Sequence, residues 1–124
     1  MTPESLAKSG TEHGHQTALF AWAALNAKAY PMLKWMFAIK NVEKGGKIAG
    51  AMAKAEGVKA GVSDIFLPYA KNGYHGLFIE MKKPDGKAST IQLEFQSDMS
   101  TIDYACCIAY SWAEARDYIL LYLK

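Results

Sequence analysis

Three side chains in the middle of the sequence have the types and spacing to do chemistry: Asp64, Glu80 and Lys82. In "GLFIEMKK", residues two apart on an extended strand share a face. Glu80 and Lys82 therefore project together with Phe78, while Leu77, Ile79 and Met81 point to the other side. "SDIFLP" reads as the preceding strand, ended by Pro68, and Asn72-Gly73 in the connection favours a hairpin. An antiparallel hairpin sets the start of one strand beside the end of the other, so Asp64 falls next to Glu80 or Lys82. Two carboxylates held close repel unless positive charge lies between them, and a divalent cation supplies it better than one ammonium. Ligands that are all oxygen favour Mg²⁺ or Mn²⁺. A water on such an ion is more acidic, a phosphate oxygen can bridge to it, and a lysine alongside can orient or deprotonate that water. The set suits hydrolysis of a phosphodiester.

Positioning these residues falls to a short list of elements. Thr11 can cap a helix running to about Lys28, with Leu19, Phe20, Trp22 and Ala23 as its apolar stripe. Glu12 and Gln16, one turn apart, fall at the end of that inward stripe, an unusual place for a carboxylate. The plainer reading of Glu12 is a first-turn acid facing the helix dipole. After Pro31, "MLKWMFAIK" alternates Leu33, Trp35, Phe37 and Ile39 against wetter positions, which is strand periodicity. A loop with Gly45 and Gly46 leads to a short helix from about Lys47 to Glu56, stopped by Gly57. Beyond the "PDGK" turn, Ser89 or Thr90 can cap a helix with Ile91, Phe95, Met99 and Ile102 inward, Gln92 and Gln96 sharing an adjacent face. "YACCIAY" is a fourth strand, and Ser111 to Glu114 fits a capping box opening a last helix through Ile119 and Leu123. The predicted order is α-β-α-β-β-α-β-α, with residues 1–10 as a loose N-terminal segment.

The 124 residues fit one domain, large enough to bury a core without staples. No apolar run approaches the roughly 18 residues of a membrane span, and "MTPESLAKSG" is too polar for a signal peptide. These point to a cytoplasmic protein with no membrane partner. Adjacent Cys106 and Cys107 make a poor disulfide and read as small strand residues. A formal charge of +2 does not by itself demand a polyanionic partner. Its distribution says more: Lys28, Lys34, Lys40, Lys44, Lys47, Lys54 and Lys59 crowd the middle of the chain against Glu43 and Glu56 alone. That half offers either a basic face or a solvated lysine-rich surface. His13 and His15 diverge on their helix and read, with His75, as surface residues rather than zinc ligands. Trp22, Trp35 and Trp112 read as core.

"GVSD" followed by "FIEMK" resembles the PD-(D/E)xK nuclease signature. The wider context resembles its VRR-NUC branch, the virus-type replication-repair nucleases. "TEHGHQTALFAWAAL", "AEGVKAGVSDIFLP", "GYHGLFIEMKKPDGKASTIQ" and "SWAEARDYILLYL" match its blocks in order, from Thr11 to Leu123. The resemblance implies an α/β restriction-endonuclease-like core, a central mixed sheet flanked by helices. It implies Asp64 and Glu80 as direct ligands of Mg²⁺ or Mn²⁺ with the Met81 backbone carbonyl, and Lys82 beside the attacking water. It further implies Glu12 as the first-helix acid, acting through a metal-bound water or a second ion. Gln92 is then the helix glutamine supporting the lysine or touching phosphate, with Gln16 a weaker neighbour. Lys83 and Lys87 are candidate phosphate contacts, or a solvated turn.

The chain departs from the family at Ser63, where the signature has Pro, at Asp103-Tyr104, where Gly-Tyr is common, and in "IKNVEKGG". The implied activity is a dimeric DNA endonuclease cutting four-way (Holliday) junctions, as in phage-type proteins active in a bacterial or phage-infected host cell. The rivals are a nuclease for flaps, ends or linear duplex, and a non-cutting DNA-binding or scaffold subunit.

Overall fold

The computed structural model describes residues 1–40 and 47–124. The expected Gly45-Gly46 loop and Lys44 lie outside the described residues. A mixed four-stranded sheet carries β1 (Phe37–Ala38), β2 (Ile65–Leu67), β3 (Leu77–Met81) and β4 (Ala105–Ala109) in that spatial order. β1 and β2 pair antiparallel, as do β2 and β3, while β4 runs parallel to β3. The helices are α1 (Pro3–Leu6), α2 (Glu12–Asn26), α3 (Lys47–Ala55), α4 (Thr90–Thr101) and α5 (Trp112–Leu123).

The hairpin forms as its turn residues dictate. Asn72 and Gly73 both take positive φ, 53° and 85°, the pair that matches the twist of a tight hairpin. The register sets Ile65 against Ile79 and Leu67 against Leu77, which puts Asp64 at the β2 end that meets Glu80. Ile65, Leu67, Leu77, Ile79 and Met81 point into a core shared with Leu19, Trp22, Trp112 and Ile119 from α2 and α5. α2 is capped by Thr11, whose hydroxyl accepts from Gly14 N, and it buries the stripe its spacing predicts.

Five expectations need correction. Residues 1–10 are not loose: Thr2 and Ser5 form a reciprocal capping box, and α1 packs against α2. The predicted strand over "MLKWMFAIK" is mostly a 3₁₀ turn, Pro31–Trp35, with only Phe37–Ala38 in the sheet. Proline suits the first position of such a turn, and Leu33 and Met36, three apart, are the buried pair. Period-two alternation hid that period-three pair. His15 is buried, and its Nδ1 accepts from Trp112 N at 3.0 Å, satisfying an N–H that α5 cannot bond internally. Trp35 is 66% exposed, whereas Trp22 and Trp112 are buried.

α4 also turns a different face inward. Ile91 and Ile102 are exposed, as is Leu93, while Gln92 is buried and Phe95, Gln96 and Met99 are half-buried. Its neighbours are polar, which explains the rotation: Gln96 Nε2 donates to Ser63 Oγ at 3.2 Å and to the Cys107 carbonyl at 2.9 Å. Gly61 allows the close approach, since a Cβ there would stand 2.8 Å from the Ile91 carbonyl oxygen, and its φ of +86° suits glycine besides. Asp103 adopts a φ of 68° at the position where the resembled family often has glycine.

Candidate metal centre

Asp64 is held at two points and its neighbour Ser63 at a third. Its carbonyl accepts from Ile39 N at 2.7 Å and its Oδ2 accepts from Met81 N at 2.8 Å. The residue before it, the buried Ser63, takes the hydrogen bond from Gln96. β3 thus fixes the carboxylate itself, while Ile39 after β1 and Gln96 of α4 fix the backbone on either side of it. Glu80 comes from β3, one residue before that Met81 N–H, and Glu12 from the first turn of α2. One oxygen from each of Glu12, Asp64 and Glu80 lies within 4.8 Å of the others. Lys82 Nζ stands 3.6 Å from Glu80 Oε2, and the Lys82 N–H is fixed to the Ala109 carbonyl of β4 at 2.8 Å.

Glu80 is 1% exposed, and neither side-chain oxygen meets a hydrogen-bond donor. A buried charge in that condition is strongly penalised unless paired. Burial first, then the Asp64 carboxyl as a hydrogen-bond partner and as a charge, push the Glu80 carboxyl up to about 9 from an ordinary 4.5. Glu12 adds to the rise and Lys82 opposes it. Two facing carboxyls can be reconciled by a proton on one of them. That proton and a divalent cation are alternative ways to satisfy the same oxygens. The donors are all oxygen, from three elements that converge, and this set fits a hard cation such as Mg²⁺ or Mn²⁺.

The other sequence candidates separate into groups. Met81 shares the site through its N–H on Asp64. Gln92 is 5% exposed, its Oε1 accepting from Ser89 N at 2.8 Å in the capping box that starts α4. As placed, it supports the helix and does not reach the surface. Gln16 lies half-buried one turn along α2 from Glu12, in a cavity of about 330 Å³ lined also by His13, Thr17, Phe20 and Ala38. Lys83 and Lys87 are exposed, and Lys83 stands 3.6 Å from the equally exposed Asp85. Ser63 and Gln96 are the residues that sequence reasoning passed over. A signal was present in the pairing of Gln92 with Gln96 on one helix face, which a helix with a purely apolar inner stripe would not carry.

No protein-family model matches the sequence, and no curated protein matches it. Among solved structures, a VRR_NUC domain protein matches 91% of this chain and 88% of its own, with a TM-score of 0.74 and 25% sequence identity. The chain has the fold of a VRR-NUC domain. The mixed sheet flanked by helices is the nuclease-like core of that fold, and the domain is of nuclease type. In this VRR-NUC-like domain the acidic cluster could hold a metal ion. Among the described residues, no helix is long and apolar enough to cross a membrane.

Proposed function

We propose that this VRR-NUC domain is a divalent-metal-dependent endonuclease that hydrolyses DNA phosphodiesters, and that it cuts four-way junctions as a homodimer. The observation that carries the reading is the convergence of Glu12, Asp64 and Glu80 within 4.8 Å, with the Lys82 ammonium 3.6 Å from Glu80. Asp64, Glu80, the Met81 carbonyl and, through a water, Glu12 would hold the ion. When bound, Mg²⁺ or Mn²⁺ supplies a more acidic water and a Lewis acid for a phosphate oxygen.

The chain's own groups do the rest. Asp64 enters the site already fixed by Met81 N–H, so little reorganisation accompanies binding. Lys82 orients the attacking water and offsets the negative charge that grows on phosphate as the ester bond breaks. Hydrolysis adds water across that bond and leaves one hydroxyl and one phosphate monoester. Gln92 acts indirectly by holding the first turn of α4, against which Gly61 packs. Lys83, Lys87 and Gln16 extend the phosphate contacts outward from the site.

A two-fold dimer would present one site to each of two strands, which suits the symmetry of a four-way junction. The decisive experiment incubates labelled junction, flap and linear DNA with the protein in Mg²⁺, Mn²⁺ or EDTA, beside Glu80→Ala and Lys82→Ala. Cutting in EDTA, or full activity of Glu80→Ala, refutes the catalytic assignment. Equal cutting of linear DNA refutes the junction preference, and a monomer in sedimentation at micromolar concentration refutes the dimer.

A further inference from the structure

The sheet face that carries Asp64 and Glu80 continues, away from them, as a row of aromatic rings. Phe66 and Phe78 lie two residues before or after the acids on their strands and so share that face. Their ring centroids are 4.4 Å apart. Phe37, the ladder partner of Phe66, extends the row outward with its ring 5.9 Å from Phe66, and it is 48% exposed. Beside it stands Trp35, with Lys34 Nζ 5.2 Å from the ring centroid. Trp35 and Phe37 line one groove of about 560 Å³ with Pro31, Met32, Pro68 and Tyr69. Exposing a tryptophan and a phenylalanine side by side leaves apolar surface that packing among the described residues does not use.

Charge decides between occupants. None of the six residues that line the groove is acidic, and the Lys34 ammonium stands over the Trp35 ring at its edge. An apolar groove with a cation at its edge and no acid in its lining suits a polyanion with flat apolar faces. Unpaired DNA has that chemistry, since bases stack on aromatic rings while lysines meet the phosphates. Duplex hides its base faces and offers no such match.

We infer that the Trp35–Phe37 groove is a stacking platform for unpaired nucleotides next to the cleavage site. Phe37 lies two residues before Ile39, whose N–H holds the Asp64 carbonyl, so the platform's segment also braces the backbone of Asp64. A base stacked on Phe37 or Trp35 would lie on the sheet face that carries Asp64 and Glu80, as the free strand of a flap or a base unpaired at an opened junction centre. The inference rests on the reading of DNA as substrate, but its test does not require cutting.

In EDTA, a single-stranded oligothymidine titrated into the protein quenches tryptophan fluorescence, and a blunt duplex of equal length quenches far less. Trp22 and Trp112 are buried, so the signal belongs to Trp35 and disappears in Trp35→Leu. Anisotropy of a labelled oligothymidine shows Trp35→Leu weakened by roughly five- to a hundredfold, and Trp35→Phe close to wild type. Circular dichroism confirms that both variants fold. Absence of quenching, or undiminished affinity in Trp35→Leu, overturns the inference. A Trp35→Leu variant that loses self-association while keeping its oligothymidine affinity also overturns it, and makes the groove a contact between copies. Metal-dependent cutting is assayed in parallel. Intact cutting without quenching refutes the platform alone, whereas quenching without cutting supports the platform and refutes the nuclease reading.

Discussion

Ile79 and Glu80 are neighbours on β3 and almost equally hidden from water, at 0% and 1% exposure, yet the fold treats them oppositely. Ile79 belongs to the packed core that α2 and α5 close. Glu80 faces the other way, with two oxygens that no donor satisfies and a carboxyl pushed up to about 9 chiefly by burial. Burial of the first is explained by packing. Burial of the second opposes stability, and a proton or a bound cation would offset that cost.

The contrast can be broken from either side. The largest effect is expected for Glu80→Ala, which should lower metal-dependent cleavage by roughly a thousandfold or more while leaving the protein folded, measured by single-turnover assay. Ile79→Ala should do the reverse. It loses about 2–5 kcal/mol of stability in urea unfolding and retains its cleavage activity where folded. A third test uses protons. The folded pKa of Glu80 is raised above the unfolded value, so between about 4.5 and 9 the folded state binds the extra proton. Metal-free stability should therefore be full below about 4.5 and fall as pH rises toward 9, with a limiting slope of about 1.4 kcal/mol per pH unit from this group. Glu80→Gln should remove that slope in melting curves across pH, and saturating Mg²⁺ should oppose it. The smallest effect belongs to Ser63→Ala, which removes one acceptor from Gln96 at about 1 kcal/mol. It should weaken Mn²⁺ binding in calorimetry more than it lowers the melting temperature.

Much of this was legible in the residues. Asn72-Gly73 specified the hairpin, the hairpin specified the Asp64–Glu80 register, and alternation separated Leu77, Ile79 and Met81 from Glu80 and Lys82. Those signals are local, and local rules carry them. What escaped depended on partners distant in sequence. The buried state of His15 requires Trp112, and the inward turn of Gln96 requires Ser63 and Cys107. The pattern around Leu33 to Ile39 failed for another reason: a strand and a 3₁₀ turn both place apolar residues at intervals that a short window cannot distinguish. At the candidate site, the spacing of Asp64, Glu80 and Lys82 was readable, and the first-turn acid Glu12 was singled out by its place on the stripe. The commitment of Gln92 to the capping box was not foreseen, although Ser89 three residues earlier spells that motif.

Gly61 touches neither the carboxylates nor the proposed DNA path, yet it fits against the backbone of Ile91 with no room for a methyl group. The loop that delivers Asp64 and the helix that braces Ser63 are thus geared together at a point where neither can yield. A saturation-mutagenesis screen for activity would accordingly score Gly61 as intolerant as a catalytic position, although its role is to let two pieces of backbone mesh.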